Sequence, residues 1–238
     1  MNVELLHLRG RSNGVAVLEY EARRPRNVSL VVGHGYSSSK HNLDFLCSFL
    51  ASHGFSVFSL DFPGHKLGAS GGVLSGIDDL IDAMATAVEQ ARSPGRPLYV
   101  MGHSMGAMTA LLVAARDPQI SGAIAIATGY GRPSVLDSLG LTQKTDFRSG
   151  YVDGLPLPEL LAGAEERLAE ALPKLAGRPQ LYIAASRDAM VNVRGVEGLY
   201  RRASEPKTFL TIASDHTYAG DNARSEVLQW LNERHPRA

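Results

Sequence analysis

Six short apolar runs punctuate the chain: "VSLVVGH" (28–34), "SVFSLDF" (56–62), "PLYVMGH" (97–103), "SGAIAIATG" (121–129), "QLYIAAS" (180–186) and "KTFLTIAS" (207–214). Most are apolar almost throughout rather than at every second residue, the pattern of strands covered on both faces. Between them lie segments of helical period, clearest in "GIDDLIDAMATAVEQAR" (76–92), where Ile77, Leu80, Ile81, Met84 and Val88 form one stripe. Strands alternating with helices predict an α/β fold with a mostly parallel central sheet flanked by helices. "VELLHL" and "VAVLEYEA" read as an opening strand pair, and "RSEVLQWLNER" (224–234) as a closing helix.

The rhythm breaks once. Residues from about 130 to 178 are too long for an ordinary crossover, and they hold Gly/Pro-rich pieces and one predicted helix, about 159–175. We read them as a small cap or lid inserted into a single domain spanning 1–238. Leu155, Leu157, Leu160, Leu161, Leu168, Leu172 and Leu175 supply an apolar stripe. Most of it is expected to pack the insertion onto the body, with an acyl pocket as the competing use.

Composition narrows the function classes. The chain has 238 residues, 44% hydrophobic and 20% charged, as in ordinary globular proteins. Its 24 basic side chains balance 24 acidic ones, and no charged block argues for nucleic acid or an anionic membrane surface. Cys47 is the single cysteine and reads as a buried small hydrophobe. The N-terminus lacks the pattern of a secretory signal, and no apolar run is long enough for a membrane span. The expectation is a cytoplasmic protein, with a homo-oligomer among its possible states. No H-E-x-x-H and no cysteine pair points to a metal, so none is expected.

Two stretches share the pattern G-x-S-x-G: Gly102-His103-Ser104-Met105-Gly106 and Gly68-Ala69-Ser70-Gly71-Gly72. With 24 glycines in the chain, a chance match is cheap, and context must choose. An apolar strand runs into Ser104 and an Ala/Leu-rich helix runs out of it. Such a turn strains the serine backbone and projects its oxygen from the strand's end. Glycines two residues to either side remove the resulting collisions, and the helix N-terminus favours negative charge beside the serine. Ser70 has a Pro/Gly loop before it and no helix after it. It reads as a loop serine.

Taken together, these features resemble the α/β-hydrolase family over nearly the whole chain. The elbow at Ser104 is one. "HGY" (His34-Gly35-Tyr36) directly after a strand is another, and "DFPGHKLGASGG" after the next strand is a third. The last resembles the family's D-x-x-G-x-G-x-S loop, except that Lys66-Leu67 lies between His65 and Gly68. The resemblance implies a Ser, Asp/Glu, His chain order, with acid and base after late strands. Among eight histidines, His216 follows the last predicted strand and matches the base; His103 adjoins Ser104 but is expected to point elsewhere. Asp188, in "SRDAMV", matches the acid by order, with Asp215 beside His216 as the alternative. Asp61 reads as a loop-fixing carboxylate. The oxyanion donors implied are the N–H groups of Met105 and Tyr36, the Tyr36 ring being left to line a pocket or to pack.

These residues suggest a serine hydrolase that cleaves small-to-medium acyl or aromatic carboxylic esters through an acyl-enzyme, with no cofactor. A thioesterase, a monoacylglycerol lipase, an amidase or peptidase, a carbon–carbon bond hydrolase and a non-catalytic binder are the alternatives.

Overall fold

A computed structural model describes residues 6–12, 14–129 and 148–237. Eight strands form one sheet in the order β1-β2-β4-β3-β5-β6-β7-β8. They are β1 Leu6–Ser12, β2 Ala16–Ala22, β3 Ser29–Gly33, β4 Ser56–Leu60, β5 Leu98–His103, β6 Gly122–Ile126, β7 Gln180–Ala185 and β8 Lys207–Ile212. β2 pairs antiparallel with β1 and with β4; the other neighbours run parallel. The sheet is therefore mostly parallel, as the continuous apolar runs predict.

Alternate residues of each central strand feed two separate cores. From β3, Val31 joins one core while Leu30 and Val32 join the other; from β5, Val100 opposes Tyr99 and Met101. Helices α2 (Ile77–Ala91) and α3 (Met105–Arg116) cover the first face. Helix α1 (Asp44–Ser52) and the C-terminal helix α8 (Arg224–Arg234) cover the second. Ala123 and Ala125 of β6 belong to the α3 side, where small side chains suit close packing by an Ala/Leu-rich helix. Helix α6 (Val193–Arg202) bridges β7 and β8, and a short α7 (Ala219–Asn222) precedes α8.

Two sequence expectations shift. The first strand continues to Ser12, past the end of the expected run, because Leu6–Ser12 pairs with β2 from Leu6↔Ala22 to Ser12↔Ala16. The single helix expected at 159–175 is three pieces: α4 (Leu157–Leu160), α5 (Ala164–Ala171) and a 3-10 turn (Leu172–Leu175). Gly163 takes a left-handed φ of 76° between the first two, and Pro173 lies in the third. Residues 130–147 of the expected insertion lie outside the described residues. Leu160, Leu168, Leu172 and Leu175 are buried in the core that also holds α3.

Candidate active site

The site lies where the sheet changes direction of winding. β3 is followed by β4 on one side and β5 lies on the other, so connections diverge between β3 and β5. Clefts for ligands form outside the carboxyl ends of strands at such points. Gly33 pairs with Gly102 across these strands, which sets the loop after β3 beside the turn after β5.

At that turn one residue converts sheet into helix. Ser104 donates its N–H to the Ile126 carbonyl at 2.8 Å, and its own carbonyl accepts from the Ala107 and Met108 N–H groups. Its backbone angles are φ 54° and ψ −116°, a region costly for any side chain. The flanking glycines are required by contact. A β-carbon on Gly102 would sit 2.3 Å from the Gly106 carbonyl, and one on Gly106 would sit 2.2 Å from the Gly33 carbonyl oxygen.

Ser104, Asp188 and His216 come together. The Ser104 hydroxyl lies 3.1 Å from His216 Nε2, and His216 Nδ1 lies 2.7 Å from Asp188 Oδ2. A carboxylate accepts, so Nδ1 carries the proton and Nε2 presents a lone pair to the serine. The other carboxylate oxygen, Oδ1, accepts from the Met190 and Val191 N–H groups at 2.8 Å each. Both oxygens of a buried acid are thereby held. Asp215 is exposed and accepts from the Tyr218 N–H, capping its own turn. It does not meet the imidazole.

The "HGY" loop is anchored from beneath. Fully buried His34 accepts from the Phe62 N–H at Nε2 (3.1 Å) and donates from Nδ1 to the Gly35 carbonyl (2.7 Å). Burial, with His65 beside it, lowers the His34 pKa to about 3, so it stays neutral. Gly35 runs so close to the elbow that a β-carbon there would be 3.5 Å from Ser104 Cβ. Met105, the first residue of α3, has an N–H that helix geometry leaves without an intrahelical acceptor. The Tyr36 ring packs against the body, and its hydroxyl donates to the Leu155 carbonyl at 3.0 Å.

The second G-x-S-x-G lies in the glycine-rich loop. The Ser70 hydroxyl accepts from the Ala16 N–H and donates to the Asp61 carbonyl, each at 2.8 Å. Asp61 is fully buried; its carboxylate pairs with the Lys40 ammonium and accepts the Lys40 and Ala69 N–H groups. Burial opposes its ionisation, but these donors outweigh burial and hold its pKa below the ordinary value. It is the loop-fixing carboxylate expected.

The sequence reading missed the use of Lys66-Leu67, the departure from the family spacing. The Lys66 N–H donates to the Tyr151 carbonyl, and its ammonium reaches the Gly150 carbonyl and the Asp153 carboxylate. The Asp153 N–H donates to the Gly64 carbonyl and the Leu155 N–H to the Leu74 carbonyl, so 150–155 thread between the arms of the loop. No periodicity in either segment signals this pairing. Among the described residues, no three His, Cys, Asp or Glu side chains gather as a metal site requires.

A family model described as serine aminopeptidase, S33, matches residues 24–149, just over half of the chain. The chain belongs to this α/β-hydrolase family. That match takes in the elbow and the "HGY" loop; Asp188 and His216 lie beyond it. A monoglyceride lipase homolog of monkeypox virus is 33% identical over 94 residues, 37% of this chain and 33% of that protein. Phospholipase YtpA of Bacillus subtilis (strain 168) is 29% identical over 108 residues, 44% of this chain and 41% of that protein. Both alignments thus span well under half of the relative. A monoacylglycerol lipase of Paleococcus ferrophilus has the same fold, with a TM-score of 0.71 and 18% identity, covering 96% of this chain and 99% of that one. So does a cold-adapted esterase from an Arctic intertidal metagenomic library, with a TM-score of 0.70 and 19% identity, covering 99% and 97%. No helix among the described residues is long and apolar enough to cross a membrane.

Proposed function

We propose that this protein is a serine hydrolase that cleaves carboxylic esters by two-step acyl transfer. The observation that carries the reading is the unbroken line of hydrogen bonds from the Ser104 hydroxyl through His216 to Asp188, at 3.1 and 2.7 Å. A serine hydroxyl is a weak nucleophile until a base takes its proton. His216 Nε2 takes it as Ser104 Oγ attacks the ester carbonyl carbon. Asp188 keeps the proton on Nδ1 and stabilises the imidazolium that forms. Negative charge develops on the carbonyl oxygen, where the N–H groups of Met105 and Tyr36 receive it, with the α3 N-terminus behind them. His216 then gives its proton to the leaving alcohol. Water, deprotonated by the same nitrogen, attacks the acyl-enzyme and restores Ser104.

The preferred substrates are small-to-medium acyl or aromatic esters. The names of the two partly aligned relatives, a monoglyceride lipase homolog and a phospholipase, make glycerol-based esters the first to try. The family description favours a second reading, hydrolysis of an amide at a peptide N-terminus. One comparison tests both. Purified protein is assayed on p-nitrophenyl esters of graded chain length, a monoacylglycerol and an amino-acid p-nitroanilide, each beside Ser104→Ala. Ester turnover that vanishes in the variant is expected. Anilide turnover without ester turnover would replace the first reading by the second, and equal activity in both proteins would sink both.

A further inference from the structure

The residue before the elbow serine is expected from the sequence to point elsewhere. In the structure, His103 stands behind the base. Its Nε2 lies 2.8 Å from the main-chain carbonyl oxygen of His216, and the two rings lie 4.8 Å apart, inclined at 49°. A carbonyl only accepts, so His103 Nε2 carries the proton and donates it. Neighbouring backbone encloses the ring. A β-carbon on Gly35 would be 3.2 Å from His103 Nδ1, and one on Gly220 would be 3.8 Å from His103 Cβ. Burial and then the adjoining His216 lower its pKa to about 3, which keeps it a neutral donor.

This contact joins unequal parts of the fold. His216 follows β8, the edge strand, whose residues 207–210 are only half buried. His103 ends β5, a central strand buried through its first five residues. The two strands are separated in the sheet by β6 and β7. The ring of His216 is oriented by Asp188, but orientation alone does not fix where its main chain sits. The same carbonyl also receives the Ala219 N–H from its own loop, at a longer 3.4 Å, which holds the loop to itself rather than to the sheet.

We propose that His103 is a positioning residue, whose Nε2–H ties the main chain of His216 to the strand that carries Ser104. Nucleophile and base then hang from one rigid support, and the separation between Oγ and Nε2 no longer depends on an edge loop. The inference rests on the Ser104–His216–Asp188 reading. A displacement of the base by an ångström is enough to cost about 100-fold in rate. The loss falls on proton transfer, hence on kcat, while ester binding is untouched.

The test compares His103→Phe, which keeps a ring but has no donor, with His103→Gln, whose amide nitrogen reaches as far as the imidazole Nε2. Ser104→Ala is run beside them on a p-nitrophenyl ester, with thermal melting of each protein. In His103→Phe, kcat falls about 30- to 100-fold with KM within about twofold. His103→Gln recovers to within about fivefold of the unaltered protein, and the rate of covalent labelling by a fluorophosphonate follows the same order. Unchanged kcat in His103→Phe overturns the proposal. So does equal loss in the Phe and Gln variants when both melt like the unaltered protein. Should His103→Phe fail to fold, His103→Asn takes its place: its amide is too short to reach the carbonyl, so activity equal to His103→Gln would count against the tie. Activity surviving in Ser104→Ala brings down the triad reading itself; an inactive Ser104→Ala beside an unaffected His103→Phe brings down the positioning role alone.

Discussion

Ser104 and Ser70 stand between glycines at identical spacing, and their hydroxyls are used in opposite ways. Ser70 is buried with both hydrogen-bonding roles spent on backbone, accepting from the Ala16 N–H and donating to the Asp61 carbonyl. Ser104 turns its hydroxyl toward an imidazole that a buried carboxylate holds in place. The glycines differ as well. Gly102 and Gly106 make room for backbone, at 2.3 and 2.2 Å from where a β-carbon would fall. Gly68 makes room for the Asp61 side chain at 2.6 Å, and Gly72 is needed for its φ of 93°. The shared pattern records where the chain must be free of side-chain bulk, for different local reasons. Chemistry comes from what the hydroxyl faces.

The sharpest way to break this contrast is to remove each hydroxyl. Under the proposed mechanism, Ser104→Ala loses about 10⁴- to 10⁶-fold in kcat on p-nitrophenyl esters. Ser70→Ala keeps most of its activity per folded molecule, and the reverse result would transfer the nucleophile to the other loop. Next comes the backbone. Gly106→Ala forces a β-carbon into the Gly33 carbonyl and is expected to cost about 4 kcal/mol in urea unfolding, or to prevent folding. Gly71→Ala, with nothing within 4 Å, stays within about 0.5 kcal/mol.

The carboxylate under the Ser70 loop gives a smaller effect with a pH signature. Asp61→Asn leaves the Lys40 ammonium buried without its partner and costs about 3 kcal/mol near neutral pH. Because the Asp61 pKa is lowered on folding, its contribution is fully present above the unfolded carboxylate value of about 3.9 and fades as pH falls through the folded one. Melting temperatures of the two proteins should therefore converge in acid; a constant gap from neutral pH down through that range would show that folding does not lower the Asp61 pKa. Smaller than the Asp61 effect is the stability change in Ser70→Ala, which orphans the Ala16 N–H and loses about 1 to 2 kcal/mol. A change below about 0.3 kcal/mol in its unfolding would mean that its two hydrogen bonds are replaced by water.

Much of this was readable in the chain because the relevant forces are local. Continuous apolar runs announce two-sided burial, and alternate residues of β3 and β5 do feed separate cores. The elbow is legible because strand, serine and helix are contiguous. Asp188 and His216 follow strands in the order the family resemblance implies, and the fold brings both to Ser104. The sequence does not choose between a pocket-lining and a packing role for the Tyr36 ring; its hydroxyl reaches the Leu155 carbonyl, a main-chain acceptor that carries no sequence signal. The break of 159–175 into three pieces had its warning in Gly163 and Pro173, which the leucine stripe outweighed.

By itself, the sequence determined the layers of the fold, the place of the strained turn and the chemical types around it, since period, glycine clearance and residue identity are properties of short stretches. Only the tertiary structure shows which of Asp188 and Asp215 meets the His216 ring: adjacency in the chain lets Asp215 cap its own turn, while Asp188, 28 residues away, has a buried line of approach to the ring. It likewise decided that His103 holds the His216 carbonyl and that Lys66 grips residues 150–153. Each of these is a hydrogen bond between a side chain and a distant part of the chain. Its partner is set by where two loops end in space, and no spacing along the chain encodes that.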